Sequence, residues 1–305
     1  MATLPRAGAQ SVRGETTLKD APTDLGGPAP SVSRAPGRPD AIDRATFEAE
    51  LAKLRVREKA HTREGDAIAA ARRRLPMVEV DANLALIGPH GSLTLLEAFE
   101  GRGQLIAYYF MWKPGRPAAE QCEGCTWYTT QVAELSHLHS RDITYAVFCQ
   151  GPHDESTRYR DFMGWDAPWY SAKDSLDALL VGRQIGLFHL VCYVRDRDRV
   201  FETYWTTRRG VEAMDYSYAL MDLTVYGRQE TWEDSPLGWP QEGDLRTDGR
   251  PIAQWSRLGS GRSDDLRPVP MAMRACHENF AQPPRPACLR GDARDRFVAD
   301  AERCV

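Results

Sequence analysis

The sequence predicts an α/β domain, with a central mixed sheet flanked by helices and a long N-terminal helical segment in front of it. Three observations predict this. Between residues 77 and 240, short apolar runs alternate with helical stretches, an alternation that implies right-handed crossovers and a largely parallel sheet. The last two apolar runs flank the turn Asp196-Arg197-Asp198, which makes them a hairpin and adds an antiparallel edge. Residues 41–76 are full of Ala, Glu, Lys, Arg and Leu, which favour helix.

Residues 1–40 are rich in Pro, Gly, Ala, Ser and Thr and have no apolar period. Such a segment buries too little surface to offset its chain entropy, so a disordered or extended tail is expected. Asp43 is placed to cap the helix that follows, and Phe47, Leu51 and Leu54 recur at helical spacing. Gly65 is a point where that helix bends or splits, and Pro76 ends it. The run Arg72 to Arg74 reads as a solvated helix end, where cations meet the negative end of the dipole, rather than as a phosphate site. The narrow apolar stripe docks on the domain or pairs with a second copy, a homodimer through the N-terminal helix.

In the core region, MVEV and NLALI are β candidates around a turn, and LTLLEAF reads as one or two helical turns. Gln104 to Trp112, QLIAYYFMW, is nearly all apolar, as a strand covered on both faces must be. A loop leads to CEGC, after which Tyr128, Val132 and Leu135 mark an amphipathic helix reaching Leu138. Then come the strand DITYAVFCQ, a helix entered through Asp154, a Pro-aromatic turn DAPWYSA, and a helix DSLDALLVGRQI capped by Asp174. The hairpin and a closing helix, RRGVEAMDYSYALMDL, complete a thioredoxin-like order over residues 77–240. Residues 241–305 lose the pattern and read as an irregular C-terminal tail. Its Cys276, Cys288 and Cys304 have no metal-ligand spacing.

The formal net charge of -4 offers no basic surface for nucleic acid and no polybasic membrane anchor. No stretch has the roughly 18 apolar residues of a membrane helix, and the N-terminus lacks a signal-peptide core. A cytoplasmic protein is expected. Its seven cysteines are an odd number over a long chain, unlike a secreted disulfide framework. In a reducing compartment a CxxC is catalytic or metal-binding before it is a staple.

That pair is Cys122 and Cys125. Following a central strand and opening a helix, it lies at the carboxyl end of the sheet, where open α/β sheets place their sites. The free N–H groups and positive end of the helix favour a thiolate. Cys122, at the helix mouth, is the expected nucleophile, and Cys125 the resolving thiol. Glu123 opposes the thiolate, so mild activation is expected. Cys149, ending its strand on the same edge, is a candidate third thiol, although a small buried apolar role suits it better. Cys192 reads as core, and His153 as a surface histidine beside a helix. Trp112, Trp127, Trp165 and Trp169 either rim a groove near the pair or pack the sheet. Three other readings stay open: a zinc site with His137 and His139, whose rings sit about 200° apart on a helix, a peroxidase, and two reduced cysteines in a retired site. No cofactor and no metal are expected.

The blocks REKAHTREGDAIAAARRRLPMVEV, GSLTLLEAFEGRGQLIAYYFMW, CEGCTWYTTQV, RDITYAVFCQGP, RYRDFMGWDAPWYSA, VFETYWTTRRGVEAM and YALMDLTVYGRQE occur in order. Together they resemble a bacterial family catalogued as domain of unknown function 899 and described as predicted dithiol-disulfide oxidoreductases. The resemblance covers residues 44–240 and implies a thioredoxin-like fold. It implies thiol–disulfide exchange with a protein or small-molecule partner, with Cys122 and Cys125 on the family's CxxC positions. The chain departs from redox-active thioredoxins in having Gln184-Ile185-Gly186 where they carry a cis-proline. It departs from peroxiredoxins in having Ala119 where they carry Thr or Ser. A non-catalytic scaffold that associates through Phe47, Leu51 and Leu54 is the alternative.

Overall fold

A computed structural model describes residues 37–267. Helix α1, Arg44–Arg72, starts at Asp43, whose carboxylate accepts from the Thr46 N–H at 3.0 Å and from its hydroxyl at 2.6 Å. Gly65 does not split the helix, which ends short of Pro76. None of its residues is buried.

Strands β1 (Val78–Val80), β2 (Ala85–Gly88), β3 (Gly91–Thr94), β4 (Gln104–Phe110), β5 (Ile143–Cys149), β6 (Trp169–Ser171), β7 (His189–Asp196) and β8 (Arg199–Thr207) form one sheet. Its order is β1-β8-β7-β4-β5-β6-β2-β3. The pairs β4–β5 and β5–β6 are parallel and every other pair is antiparallel. The sheet is therefore mixed and mostly antiparallel rather than largely parallel, because β1, the β2–β3 hairpin and the β7–β8 hairpin all add antiparallel neighbours. Helices α2 (Glu123–Gln131) and α4 (His153–Met163) make the crossovers, and α6 (Tyr216–Met221) follows the hairpin. The inner strands β8-β7-β4-β5 with these helices make the thioredoxin-like arrangement that the element order predicts.

Strand β4 shows why its sequence is nearly all apolar. Leu105, Ala107 and Tyr109 pack on one face of the sheet with Phe148, Val191 and Tyr193. Tyr108 and Phe110 pack on the other with Trp169, Tyr159 and Cys125. A strand buried on both faces has no polar alternation to show.

Several local expectations are corrected. β1 and β2 do not pair with each other. β1 joins β8 at one end of the sheet, while β2 turns back through Gly91, at φ 103°, to pair with β3 at the other. LTLLEAF supplies part of β3 and a single 3-10 turn, Glu97–Phe99. Thr94 and Glu97 bond reciprocally there, the Thr94 N–H donating to Glu97 and the Glu97 N–H to the Thr94 hydroxyl. The helix after CEGC stops at Gln131 rather than reaching Leu138. Val132 leaves helical geometry, and a separate turn α3, Ser136–His139, follows. The β-branched run Thr126, Thr129, Thr130 and Val132 disfavours continuation.

DAPWYSA is not only a turn, because its last residues form β6 beside β5 and all three are buried. DSLDALLVGRQI yields just a 3-10 turn, Lys173–Ser175, and α5, Leu176–Leu179. Asp154 and Asp174 lie in first turns and are not the caps of their helices. The closing segment breaks at Asp215, which accepts from the Tyr218 N–H at 3.0 Å and so caps α6.

The largest correction concerns the C-terminal region. Strands β9 (Arg246–Thr247) and β10 (Arg250–Pro251) form a hairpin that runs into helix α7, Ile252–Gly259. Residues 246–259 are therefore structured rather than part of an irregular tail. Two signals for them were in the sequence. Thr247-Asp248-Gly249-Arg250 carries Asp-Gly at the turn, with φ 47° and 77°, and Pro251 and Gly259 bracket a helix. Cys276, Cys288, Cys304 and most of the 1–40 segment lie outside the described residues.

Candidate active site

β4 ends at Phe110, and the loop after it passes Trp112 and turns through Ala118–Glu120 before delivering Cys122 to the start of α2. Gln121 fixes this loop from inside. It is fully buried; its amide donates to the Lys113 and Arg116 carbonyls at 3.0 and 3.1 Å, and its own carbonyl oxygen accepts from the Lys113 N–H at 3.1 Å. Trp112 packs against the backbone of Gly151. A Cβ at that glycine would meet the indole at 2.0 Å, so only glycine fits.

Cys122 is the N-cap of α2. Its Sγ accepts from the Cys125 N–H at 3.3 Å, as the helix-mouth reading requires. The Cys122 thiol also reaches Met111 Sδ at 3.8 Å, and the Met111 N–H donates to Cys125 Sγ at 3.4 Å. Cys122 keeps 9 % of its surface exposed, whereas Cys125 keeps none. Hydrogen bonding from Cys125 pulls the Cys122 thiol below its ordinary value, although burial and the Glu123 carboxylate oppose this. Burial pushes the Cys125 thiol well up, and the neighbouring Cys122 adds to the rise. The two thiols thus differ in exposure and in the direction of their acidity. Both are free.

Tyrosines line the inner side of the pair. Tyr108 and Tyr145 have fully buried hydroxyls with no hydrogen-bond partner among the described residues, and burial raises both phenols. The Tyr159 hydroxyl meets the Thr126 hydroxyl at 2.7 Å. Gln254 of α7 donates to that same Tyr159 oxygen at 2.8 Å and to the Ala118 carbonyl at 2.7 Å.

The other predicted residues fall as follows. Glu123 is partly exposed and ion-paired with Arg246 at 3.2 Å. Trp127 donates from its indole to Asp215 at 2.6 Å and lies over Tyr218, so it pins α2 to the start of α6. Trp112, Trp165 and Trp169 are core rings around Phe110, with Trp165 stacked on Trp169. Cys149 is fully buried, which pushes its thiol up to about 12. Cys192 is half-buried, with its thiol pushed up to about 11 by burial. His153 opens α4 half-buried, its Nε2 3.3 Å from the Thr157 hydroxyl, and burial lowers its pKa. Among the described residues, no three His, Cys, Asp or Glu converge as a metal site. No described helix is long and apolar enough to cross a membrane. A cavity of about 780 Å³ opens between the 115–117 loop and the start of α4, with Arg116, Asp154 and Arg158 in its wall.

Sequence reasoning missed Met111, Gln121, Arg246 and Gln254. Only the last two had an available signal, through the hairpin and helix that carry them.

A family model described as "Bacterial protein of unknown function (DUF899)" matches residues 36–257. Among solved structures, peroxiredoxin Q of Xanthomonas campestris, as a cysteine-to-serine mutant, aligns at 14% identity. It covers 46% of this chain and 92% of its own, with a TM-score of 0.33. Thioredoxin of Wuchereria bancrofti aligns at 15% identity over 45% of this chain and 90% of its own, with a TM-score of 0.29. The bacterioferritin comigratory protein of Xanthomonas campestris aligns at 13% identity over 46% and 92%, with a TM-score of 0.30. No curated protein matches the chain. The fold assignment rests on strand order, not on these alignments.

Proposed function

The chain belongs to the DUF899 family, and on that premise we propose that it is a dithiol-disulfide oxidoreductase working through Cys122 and Cys125. The observation that carries this is the cap. The Cys122 sulfur takes the Cys125 N–H at the mouth of α2 and keeps the pair's remaining exposure, while Cys125 is sealed one turn in.

In the reducing direction, the Cys122 thiolate attacks one sulfur of a substrate disulfide. The substrate S–S bond breaks, a mixed disulfide forms, and one substrate sulfur leaves as a thiolate that takes a proton from water. Cys125 then loses its proton and attacks Cys122 Sγ, releasing the second substrate thiol. The pair ends as a disulfide, and two electrons have passed to the substrate. Reset requires a dithiol reductant. The compartment this suits is the reducing cytoplasm, and the substrate is a protein or small-molecule disulfide that brings a sulfur to the small exposed part of Cys122.

Two measurements test this. Mass spectra with and without reductant detect the 122–125 disulfide, and reduction of insulin by C122S falls to background if the reading holds. Unchanged reduction by C122S overturns it. A reversible couple between about -120 and -270 mV fits an exchanger.

One observation favours a second reading, association through α1. That helix buries nothing, and Phe47 and Leu54 are 44% and 46% exposed. If the protein is a scaffold that pairs through this stripe, F47A with L54A converts a dimer to a monomer in sedimentation equilibrium. A monomeric wild type removes this reading.

A further inference from the structure

Arg246 reaches both sides of Cys122 from outside the thioredoxin-like core. Its Nη1 donates to the Ala119 and Gly249 carbonyls at 2.8 and 2.9 Å, and its Nη2 to the Gln121 carbonyl at 3.0 Å. Nε and Nη2 reach the same Glu123 carboxylate oxygen at 3.3 and 3.2 Å. Ala119 lies three residues before Cys122, Gln121 immediately before it, and Glu123 immediately after it. The side chain is a quarter exposed, so solvent screens it only partly.

We propose that Arg246 is a positioning residue for the Cys122–Cys125 pair: it clamps the 119–121 backbone that delivers Cys122 to the mouth of α2, and it neutralises Glu123 beside the sulfur. The role deepens the oxidoreductase reading and takes its consequence for catalysis from that reading. A planar guanidinium bonds carbonyls and a carboxylate at once, in fixed directions; a lysine ammonium keeps the charge and loses the fork. Without the clamp, the Cys122 sulfur loses its alignment on the Cys125 N–H, and Glu123 stands uncompensated next to a developing thiolate. The titratable or charged groups facing Cys122 are Cys125 and Glu123 on α2, Tyr108 on β4, Tyr159 on α4 and Arg246 on the β9–β10 hairpin. Arg250 on the same hairpin provides a control. It bonds Gln254 at 3.2 Å and Asp264 at 3.0 Å and touches none of residues 119–123, reaching the site only at second hand through Gln254.

The test is the pH dependence of iodoacetamide alkylation of Cys122 in the full, reduced chain, read peptide by peptide so that other cysteines do not contribute. R246Q raises the Cys122 midpoint by about one unit, which makes alkylation about tenfold slower below both midpoints. R250Q leaves the midpoint in place. A midpoint unmoved by R246Q, or moved equally by R250Q, overturns the proposal. If R246Q does not fold, R246K carries the test: the midpoint rises part way, and a wild-type midpoint overturns the clamp. This titration needs no disulfide cycling. A protein that never forms the 122–125 disulfide, yet shows the shift, loses the oxidoreductase reading and keeps this one.

Discussion

Helix α1 and the β9–β10–α7 segment lie on either side of the sheet in the chain, and both are rich in arginine. α1 runs 29 residues and buries none. The C-terminal segment is far shorter, yet it buries Gln254 against Ala118 and Tyr159 and ties Arg246 to the start of the cysteine helix, and Leu266 beyond it is buried in the core. α1 exists because its residues have strong helix propensity and an aspartate cap. The C-terminal segment has weak local structure and is held by a few anchors with defined partners. Length and propensity make an element. Buried partners decide whether it belongs to the site.

The contrast breaks most easily at Gln254. Gln254→Ala takes one of two donors from the Ala118 carbonyl, which keeps the Gln121 N–H at 3.2 Å, and opens a space beside Tyr159, at an expected cost of about 1–2 kcal/mol. A shift in urea midpoint at constant m-value measures it. A change below about 0.5 kcal/mol would mean that α7 is not anchored as described.

The next effect is on chemistry and sharpens the comparison at the site itself. Alkylation of Cys122 accelerates as pH rises through a midpoint below the ordinary 9.0 of a thiol, because its folded pKa is lowered. Cys125, fully buried and raised, stays unmodified over the same range. Peptide-resolved alkylation that labels both equally contradicts this order.

The smallest effect belongs to α1. Phe47→Ala and Leu54→Ala each change stability by no more than about 0.5 kcal/mol, as exposed positions do. A loss of 2 kcal/mol or more would show that α1 is buried against something in solution, and a dimer-to-monomer change would name it as a second copy.

Much of this molecule is legible without coordinates. The apolar run of β4, the cap at Asp43 and the alternation of strands and helices are local or periodic signals, and they lead to the thioredoxin-like order. CEGC after the central strand points to the helix mouth for the same reason. Other features leave no such trace. The strand Trp169–Ser171 looks like a turn because only its neighbours β5 and β2 make it a strand. Met111 is one apolar residue among many until two sulfurs are placed beside it.

By itself, the sequence determined the strand–helix order of the inner sheet, the start of α1 at Asp43 and the position of the cysteine pair after β4, because these follow from periodicity, propensity and capping within short windows. Only the tertiary structure decided which cysteine is sealed, that Glu123 is paired, and that residues 246–259 close over the helix bearing them. Those outcomes depend on groups more than a hundred residues apart meeting at hydrogen-bond distance, and no local pattern encodes such a meeting.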